Sequence, residues 1–183
     1  SQAMETIDIT RPPGSSGKFQ GATVLTPVKG YHRKPVVCLD FASLYPSIMR
    51  RHNLSHDSFL TSKDQARRYG LKSNDYTETP NGFLFVKKAA QKREAILPLI
   101  LTELLEARKI AKKQMKDASS SMERSVYNGK QLALKICCNS IYGFTGAKMS
   151  PIPCVPIAAS VTSFGRQMIL ETKAFMAKEF GAE

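Results

Sequence analysis

Apolar residues recur at helical spacing in the middle of the chain. Between residues 95 and 116 they fall three or four positions apart, at Leu97, Leu101, Leu104, Ala107, Ala111 and Met115. This spacing places apolar side chains on one face of an α-helix. The pattern therefore predicts a long amphipathic helix over residues 95–116.

A second helix is predicted after a short polar break at residues 117–121. Apolar residues resume at Met122, Val126, Ala133 and Ile136, so a helix over residues 122–138 is expected to bury these four side chains. Two amphipathic helices joined by so short a break favour an antiparallel helical hairpin.

A third helix is predicted near the end of the chain, over residues 155–180. Its expected core side consists of Val161, Phe164, Met168, Thr172, Phe175 and Phe180. Residues 143–156, which precede it, are punctuated by glycine and proline and are expected to form a loop.

Short runs rich in β-branched and aromatic residues predict strands. Residues 22–28 and 36–39 are two such runs, and the turn-bearing connection between them favours antiparallel pairing. Residues 83–86 predict a further short strand, whereas the polar stretch 53–82 is expected to be mostly loops. Residues 1–19 have the chemistry of a linker or tag and are expected to be disordered or loosely docked. The fold class predicted is α+β.

Composition narrows the class of partner. The chain has 183 residues, 42% of them hydrophobic, and a formal net charge of +12. Such a positive surplus indicates a polyanionic partner, with nucleic acid as the first candidate. No apolar run reaches the ~18 residues of a membrane span, so no membrane partner is expected. The four cysteines form no CxxC pair and are expected to be buried free thiols in a reducing compartment.

One carboxylate has a position that suits a metal ion bound together with a phosphate group. Asp40 ends the apolar run 36–39, and Pro46 suits the first turn of a short helix predicted over residues 46–52. A carboxylate beside outward-pointing backbone amides fits a metal-bridged phosphate. The alternative for Asp40 alone is structural, with the carboxylate capping the turn and helix that follow.

Cationic and amide side chains line up on both predicted hairpin helices. Arg108 and Lys112 are one turn apart on the first helix. The second helix carries a polar row one face wide, with spacings of three or four residues: Asn128, Gln131, Lys135, Asn139 and Tyr142. Both groups could also be ordinary solvated surface. Gly143 follows the row, and a glycine lets backbone approach a ligand closely.

Three of these stretches resemble motifs of family B DNA polymerases. Residues 40–48 read DFASLYPSI and are similar to the first palm motif, while residues 135–143 read KICCNSIYG and are similar to the fingers motif. Residues 108–112, RKIAK, resemble the basic patch on the first fingers helix. Flanking phrases such as FTGA at 144–147 and SVTSFGRQMI at 160–169 resemble the eukaryotic delta-type branch.

The resemblance implies a role for each matching residue. Asp40 would hold two Mg²⁺ ions, with help from the backbone carbonyl of Phe41. The triphosphate would be bound by Arg108, Lys112, Lys135 and Asn139 and by the backbone amides of Ser43 and Leu44. Tyr45 would lie under the incoming sugar and exclude a 2′-hydroxyl. Tyr142 and Gly143 would lie near the nascent base pair and the template.

The resemblance also implies an architecture and a set of partners. Residues 20–94 would belong to a partial palm of antiparallel strands, residues 95–140 to a two-helix antiparallel fingers hairpin, and residues 141–183 to a palm segment with the long helix. Primer-template DNA, deoxynucleoside triphosphates, accessory subunits and a sliding clamp would be the partners, in the nucleus.

The family's second metal-binding motif is absent from the 183 residues. The expectation is therefore a palm-and-fingers piece that is inactive by itself, truncated before that motif. Two other classes of function also fit the sequence. One is a non-catalytic basic helical module that binds nucleic acid by charge, and the other is a piece whose surfaces only dock partner subunits.

Overall fold

The structure is a computed structural model that describes residues 19–147 and 149–181. Most of the predicted linker, residues 1–18, lies outside the described residues. In chain order the helices and strands are α1 (Leu44–Arg51), β1 (Phe59–Leu60), α2 (Lys63–Arg68), β2 (Tyr76–Glu78), β3 (Leu84–Val86), α3 (Lys88–Gln91), α4 (Ile96–Asp117), α5 (Ser121–Gly146) and α6 (Val155–Phe180). Two single 3₁₀ turns, His56–Ser58 and Ser73–Asp75, precede β1 and β2.

The sheet is small and antiparallel, in the order β1–β3–β2. Phe85 of β3 lies opposite Phe59 on one side and Thr77 on the other. The strand predicted over residues 83–86 is confirmed, and so is the α+β class. The polar stretch 53–82, expected to be loops, instead supplies both partner strands and α2. The stretch has too few apolar residues for a periodic signal, and Phe59–Leu60 and Tyr76–Glu78 form strands by pairing with β3, which lies between them.

The two strands predicted near the start are wrong. Residues 22–28 and 36–39 have no regular structure and do not pair with each other. Val36 and Val37 are 77% and 75% exposed. A β-branched run becomes a strand only when a neighbour completes its hydrogen-bond ladder, and these residues have no such neighbour among the described residues.

Helices α4 and α5 form the predicted antiparallel hairpin, joined by residues 118–120. Ser120 caps α5, because its hydroxyl accepts from the Glu123 N–H at 3.1 Å, and Glu123 accepts in return from the Ser119 N–H at 3.0 Å. α5 continues eight residues past the predicted end at Cys138, to Gly146. The loop predicted from Gly143 therefore begins only after Gly146.

Tertiary contact selects a different face of α5 from the predicted one. Met122, Val126 and Ile136, expected in the core with Ala133, are exposed, Ile136 by 66%. The inward face instead carries wholly or partly buried residues at spacings of three and four: Tyr127, Gln131, Leu134, Cys138, Ile141 and Thr145. α4 packs on that face, and Gln131 finds hydrogen-bond partners there, so the more polar face is the buried one.

Helix α6 packs along one side of the main core. Its bounds agree with the predicted 155–180, and its first half is buried almost all round, whereas Phe175 and Phe180 near its end are exposed. The main core joins α1, β3, α4, α5 and α6 through Ile48, Met49, Leu54, Phe85, Leu101, Cys138, Cys154, Ile157 and Val161. Throughout 19–147 and 149–181, no helix combines the length and apolar character needed to cross a bilayer.

Candidate functional site

A sharp turn carries the chain from Asp40 into α1. Ser43 adopts left-handed backbone angles (φ 50°, ψ 52°), and α1 starts at the next residue. The Ser47 hydroxyl donates to the Ala42 carbonyl at 3.1 Å, and its N–H donates to the Ser43 carbonyl at 2.9 Å, which fixes the turn. The amides in the first turn of a helix have no partner within the helix and carry its partial positive charge. The N-terminus of α1 thus suits an anion.

A cavity of about 580 Å³ opens at this turn. One wall is the 40–45 segment, and the other is the facing surface of the α4–α5 hairpin. The lining residues are Asp40, Phe41, Ala42, Ser43, Leu44, Tyr45, Arg108, Lys112, Lys135, Cys138 and Asn139. The fold therefore brings together nine of the site residues singled out from the sequence, including Asp40 with Lys135, which are 95 positions apart.

Arg108 bridges the two walls of the cavity. Its Nη1 donates to the Ser43 hydroxyl at 3.5 Å and its Nε donates to Gln131 Oε1 at 3.4 Å. Gln131 in turn donates from Nε2 to Asn128 Oδ1 at 3.0 Å. The guanidinium is half-buried and turned toward the start of α1, and these long hydrogen bonds leave its donors available to a stronger acceptor.

Positive charge dominates the cavity. Three cationic side chains, Arg108, Lys112 and Lys135, stand against the single carboxylate of Asp40. Burial raises the pKa of the Cys138 thiol, and the nearby Arg108 charge opposes that shift. The thiol is therefore neutral at pH 7, and the cavity keeps its excess positive charge for a polyanion.

Two tyrosines pack together beside the cavity. The rings of Tyr45 and Tyr142 have centroids 4.5 Å apart and are tilted by 46°. Burial, and then the neighbouring Tyr45, raise the pKa of Tyr142. Gly143 does not line the cavity; it lies next to Tyr142 on α5, and the position of a Cβ there is open to 4 Å. Neither residue lines the cavity, but Tyr142 contacts the lining residue Tyr45.

Sequence reasoning missed two lining residues and one orienting contact. Cys138 and Ala42 line the cavity. Cys138 is three residues after Lys135 on α5, so helical spacing could have identified it. Gln131 was part of the polar row, but its contact with Arg108 depends on how α4 packs against α5.

The oxygen donors at Asp40 fit a hard divalent cation shared with a phosphate ligand. Mg²⁺ is commonly held by one or two carboxylates together with substrate phosphates, and the cavity offers Asp40 and the adjoining Phe41 backbone. In the part of the chain that the structure describes, no group of three or more His, Cys, Asp or Glu residues could hold a metal by itself.

Comparison with known proteins shows the family of the chain. Residues 2–183 match the family model described as DNA polymerase family B. The chain is 51% identical over 160 residues to the DNA polymerase delta catalytic subunit of Candida albicans and 50% identical over 164 residues to that of Arabidopsis thaliana. It is 47% identical over 174 residues to that of Schizosaccharomyces pombe.

These alignments cover 87%, 90% and 94% of this chain but only 15%, 15% and 16% of the relatives, so the chain spans about one seventh of their length. Among solved structures, the family B DNA polymerase from the hyperthermophilic archaeon Pyrobaculum calidifontis aligns with a TM-score of 0.66 at 27% identity. That alignment covers 90% of this chain and 20% of the archaeal one. The chain therefore belongs to DNA polymerase family B, and most of its sequence is similar to that of delta catalytic subunits.

Proposed function

We propose that this chain provides the nucleotide-binding part of the active site of a replicative, template-directed DNA polymerase. The observation that carries the proposal is the shared cavity, where a carboxylate at the start of α1 faces cations from α4 and α5. In this proposal the α4–α5 hairpin is the fingers, and the segments on either side of it, with α1, the small sheet and α6, are palm.

A deoxynucleoside triphosphate carries several negative charges, which match the positive side of the cavity. Arg108, Lys112, Lys135 and Asn139 would contact the phosphates from the hairpin, while the amides of Ser43 and Leu44 would contact them from the start of α1. A planar guanidinium binds phosphate oxygens bidentately and a lysine acts as a point charge, so the two residue types divide the work.

Asp40, with the Phe41 carbonyl, would hold magnesium against the triphosphate. Magnesium bound there would neutralise charge on the transferred phosphoryl group and on the leaving pyrophosphate. Lys135 and Arg108 would hold that triphosphate in line for attack by the primer 3′-hydroxyl on the α-phosphate. The hairpin would move inward to complete the site, and such closure supports discrimination between nucleotides.

Tyr45 would select the deoxy sugar. Its ring is fixed against Tyr142, so it cannot move aside for a 2′-hydroxyl without disturbing the packing of α5. Tyr142 and Gly143 would then lie beside the nascent base pair and template. The further partners would be primer-template DNA, accessory subunits and a sliding clamp in the nucleus. By itself the chain would not polymerise, because Asp40 is the only carboxylate among the cavity-lining residues within 19–147 and 149–181.

Binding of magnesium-dATP to the 183-residue chain tests the proposal. Isothermal titration should detect binding that Lys135→Ala and Arg108→Ala each weaken by about ten- to a hundredfold, the loss expected for one hydrogen bond to a charged group. Lys130→Ala and Arg124→Ala are matched controls. They remove the same charges from exposed positions on α5 that do not line the cavity, and they should leave the affinity within about twofold, as surface charges do.

The same titration separates the proposal from a basic module that binds nucleic acid by charge. A site of the proposed kind needs magnesium and prefers dATP to ATP. Equal affinity for both nucleotides without magnesium, and equal losses in the cavity and control variants, would instead show binding by net charge.

A further inference from the structure

The start of α4 is held by side chains from a distant turn. Ala95, at its N-cap, offers no capping side chain. The first three amides instead donate to three residues about forty positions earlier: Ala95 N–H to Asn53 Oδ1 at 3.0 Å, Ile96 N–H to Asp57 Oδ1 at 3.2 Å, and Leu97 N–H to Ser55 Oγ at 3.3 Å. We call these three residues, Asn53, Ser55 and Asp57, the foot cluster.

The foot cluster is rigid by its own contacts. Asn53 is buried in a left-handed conformation (φ 54°), which asparagine tolerates better than most residues. Its Nδ2 donates to the Val86 carbonyl and to Gln91 Oε1, both at 2.9 Å, and Gln91 donates back to the Asp57 carbonyl at 3.1 Å. The cluster thus joins β3, α3 and α4 at one point.

The Asp57 carboxylate is buried, and burying a charged group costs free energy. Its side chain is 3% exposed, and Arg93 approaches it at 3.6 Å. A buried carboxylate is retained only with compensating partners. Asp57 accepts from the Ser55 hydroxyl at 2.5 Å and from Gln91 Nε2 at 3.3 Å, and it also faces the positive end of α4 and the Arg93 guanidinium. The first turn of α4 is therefore one of the groups that compensate this buried charge.

A change in the angle of α4 at its start would displace Arg108. The guanidinium belongs to the twelfth residue after Ile96, about 18 Å along the axis, so a tilt of about 5° at the foot would move it by about 1.6 Å. A displacement of that size is enough to lose phosphate contacts. The turn that supplies the foot cluster directly follows α1, whose other end forms the cavity, and Arg50 of α1 also donates to Thr102 Oγ1 of α4 at 2.9 Å.

We infer that the foot cluster, with Asp57 at its centre, is a positioning site that sets the angle of α4 and so aims Arg108 at the start of α1. None of its members lines the cavity, and Asp57 acts through α4 rather than on the nucleotide. The expected effect on nucleotide binding rests on the proposed function, whereas the expected effect on the structure of the free chain does not.

Three variants of the 183-residue chain test it, each measured well below its melting temperature. Asp57→Ala should weaken magnesium-dATP binding about tenfold, the size of a lost helix cap of about 1.4 kcal/mol. Asp57→Asn keeps an oxygen for the Ile96 amide and should recover part of that affinity. Leu60→Ala is the control for lost stability alone, because Leu60 is buried in the separate cluster with Ala66 and Leu84. It should lower the melting temperature and leave the affinity unchanged.

A second readout needs no nucleotide. In the free chain, Asp57→Ala should speed hydrogen exchange of the Ile96 and Leu97 amides by about tenfold and move the Arg108 Nε–H resonance toward that of a solvated guanidinium, since the local opening energy falls. Leu60→Ala should change neither.

The outcomes are distinguishable. If the wild-type chain fails to bind magnesium-dATP, the proposed function is wrong, and the Arg108 resonance still decides the inference. If Asp57→Ala leaves that resonance and the amide exchange as in the wild type, or if Asp57→Ala and Leu60→Ala weaken binding equally, the positioning role is wrong.

Discussion

At the scale of single residues, burial divides the four cysteines into two pairs. Cys38 and Cys137 are exposed, whereas Cys138 and Cys154 are buried. Burial raises the pKa of Cys154 to about 11 and also raises that of Cys138. Thiolates are the reactive form, so buried thiols of high pKa react slowly.

Thiol titration with Ellman's reagent at pH 8 checks this pattern. The native chain should show two fast thiols and all four after denaturation. Cys137→Ser should reduce the fast count to one. Rapid reaction of four thiols in the native chain would show that the cavity floor at Cys138, or the start of α6 at Cys154, is open to solvent. The expectation of four buried thiols is already wrong for Cys38 and Cys137.

At the scale of elements, α5 has an exposed apolar stripe and a buried, more polar face. Ile136 is 66% exposed, whereas Leu101 of α4 is completely buried. Ile136→Gln should therefore change the free energy of unfolding by less than about 0.5 kcal/mol. Leu101→Ala should lower it by about 2–5 kcal/mol, because it leaves a cavity in the main core.

Urea unfolding followed by circular dichroism measures both changes. Val126→Gln is a second exposed substitution on the same stripe and should behave like Ile136→Gln. A loss above 2 kcal/mol for either glutamine variant would mean that the originally predicted face of α5 is the buried one after all.

At the scale of the whole molecule, the formal net charge of +12 far exceeds that of the cavity lining, which has three cationic side chains and the Asp40 carboxylate among the described residues. Nucleic-acid affinity from such charge falls with salt and carries no catalytic meaning. Catalysis needs acidic ligands that clamp two metals, and among the described residues that line the cavity Asp40 is the one carboxylate.

Primer extension with magnesium, primer-template DNA and all four deoxynucleoside triphosphates tests the proposed inactivity. The chain should add no nucleotide above the background set by its Asp40→Asn variant, which conserves shape and removes the carboxylate charge. Extension by the wild-type chain that is lost in Asp40→Asn would show that a complete site forms within these residues.

Features encoded by local periodicity were predictable. The existence of the three long helices followed from apolar spacing over stretches of about twenty residues, where a helical signal accumulates. The residues Asp40, Arg108, Lys112, Lys135 and Asn139 were singled out from their spacing as candidates, and the resemblance to family B motifs gave them their expected phosphate and metal roles. Their biochemical roles remain proposals.

Features that depend on distant partners were not predictable. Residues 22–28 and 36–39 have strand composition but no ladder among the described residues, while Phe59–Leu60 and Tyr76–Glu78 became strands because β3 lies between them. The foot cluster was also missed, since Asn53, Ser55 and Asp57 read as ordinary turn residues until α4 begins beside them.

The sequence by itself determined that three long helices form and which charged and polar side chains are candidates for a binding site, because both depend on residue types at short spacing. Only the tertiary structure decided which face of α5 is buried, which short segments pair, and that Asp40 and Lys135 share one cavity. The physical reason is that burial and pairing are properties of two surfaces in contact, and a single stretch of sequence describes only one of them.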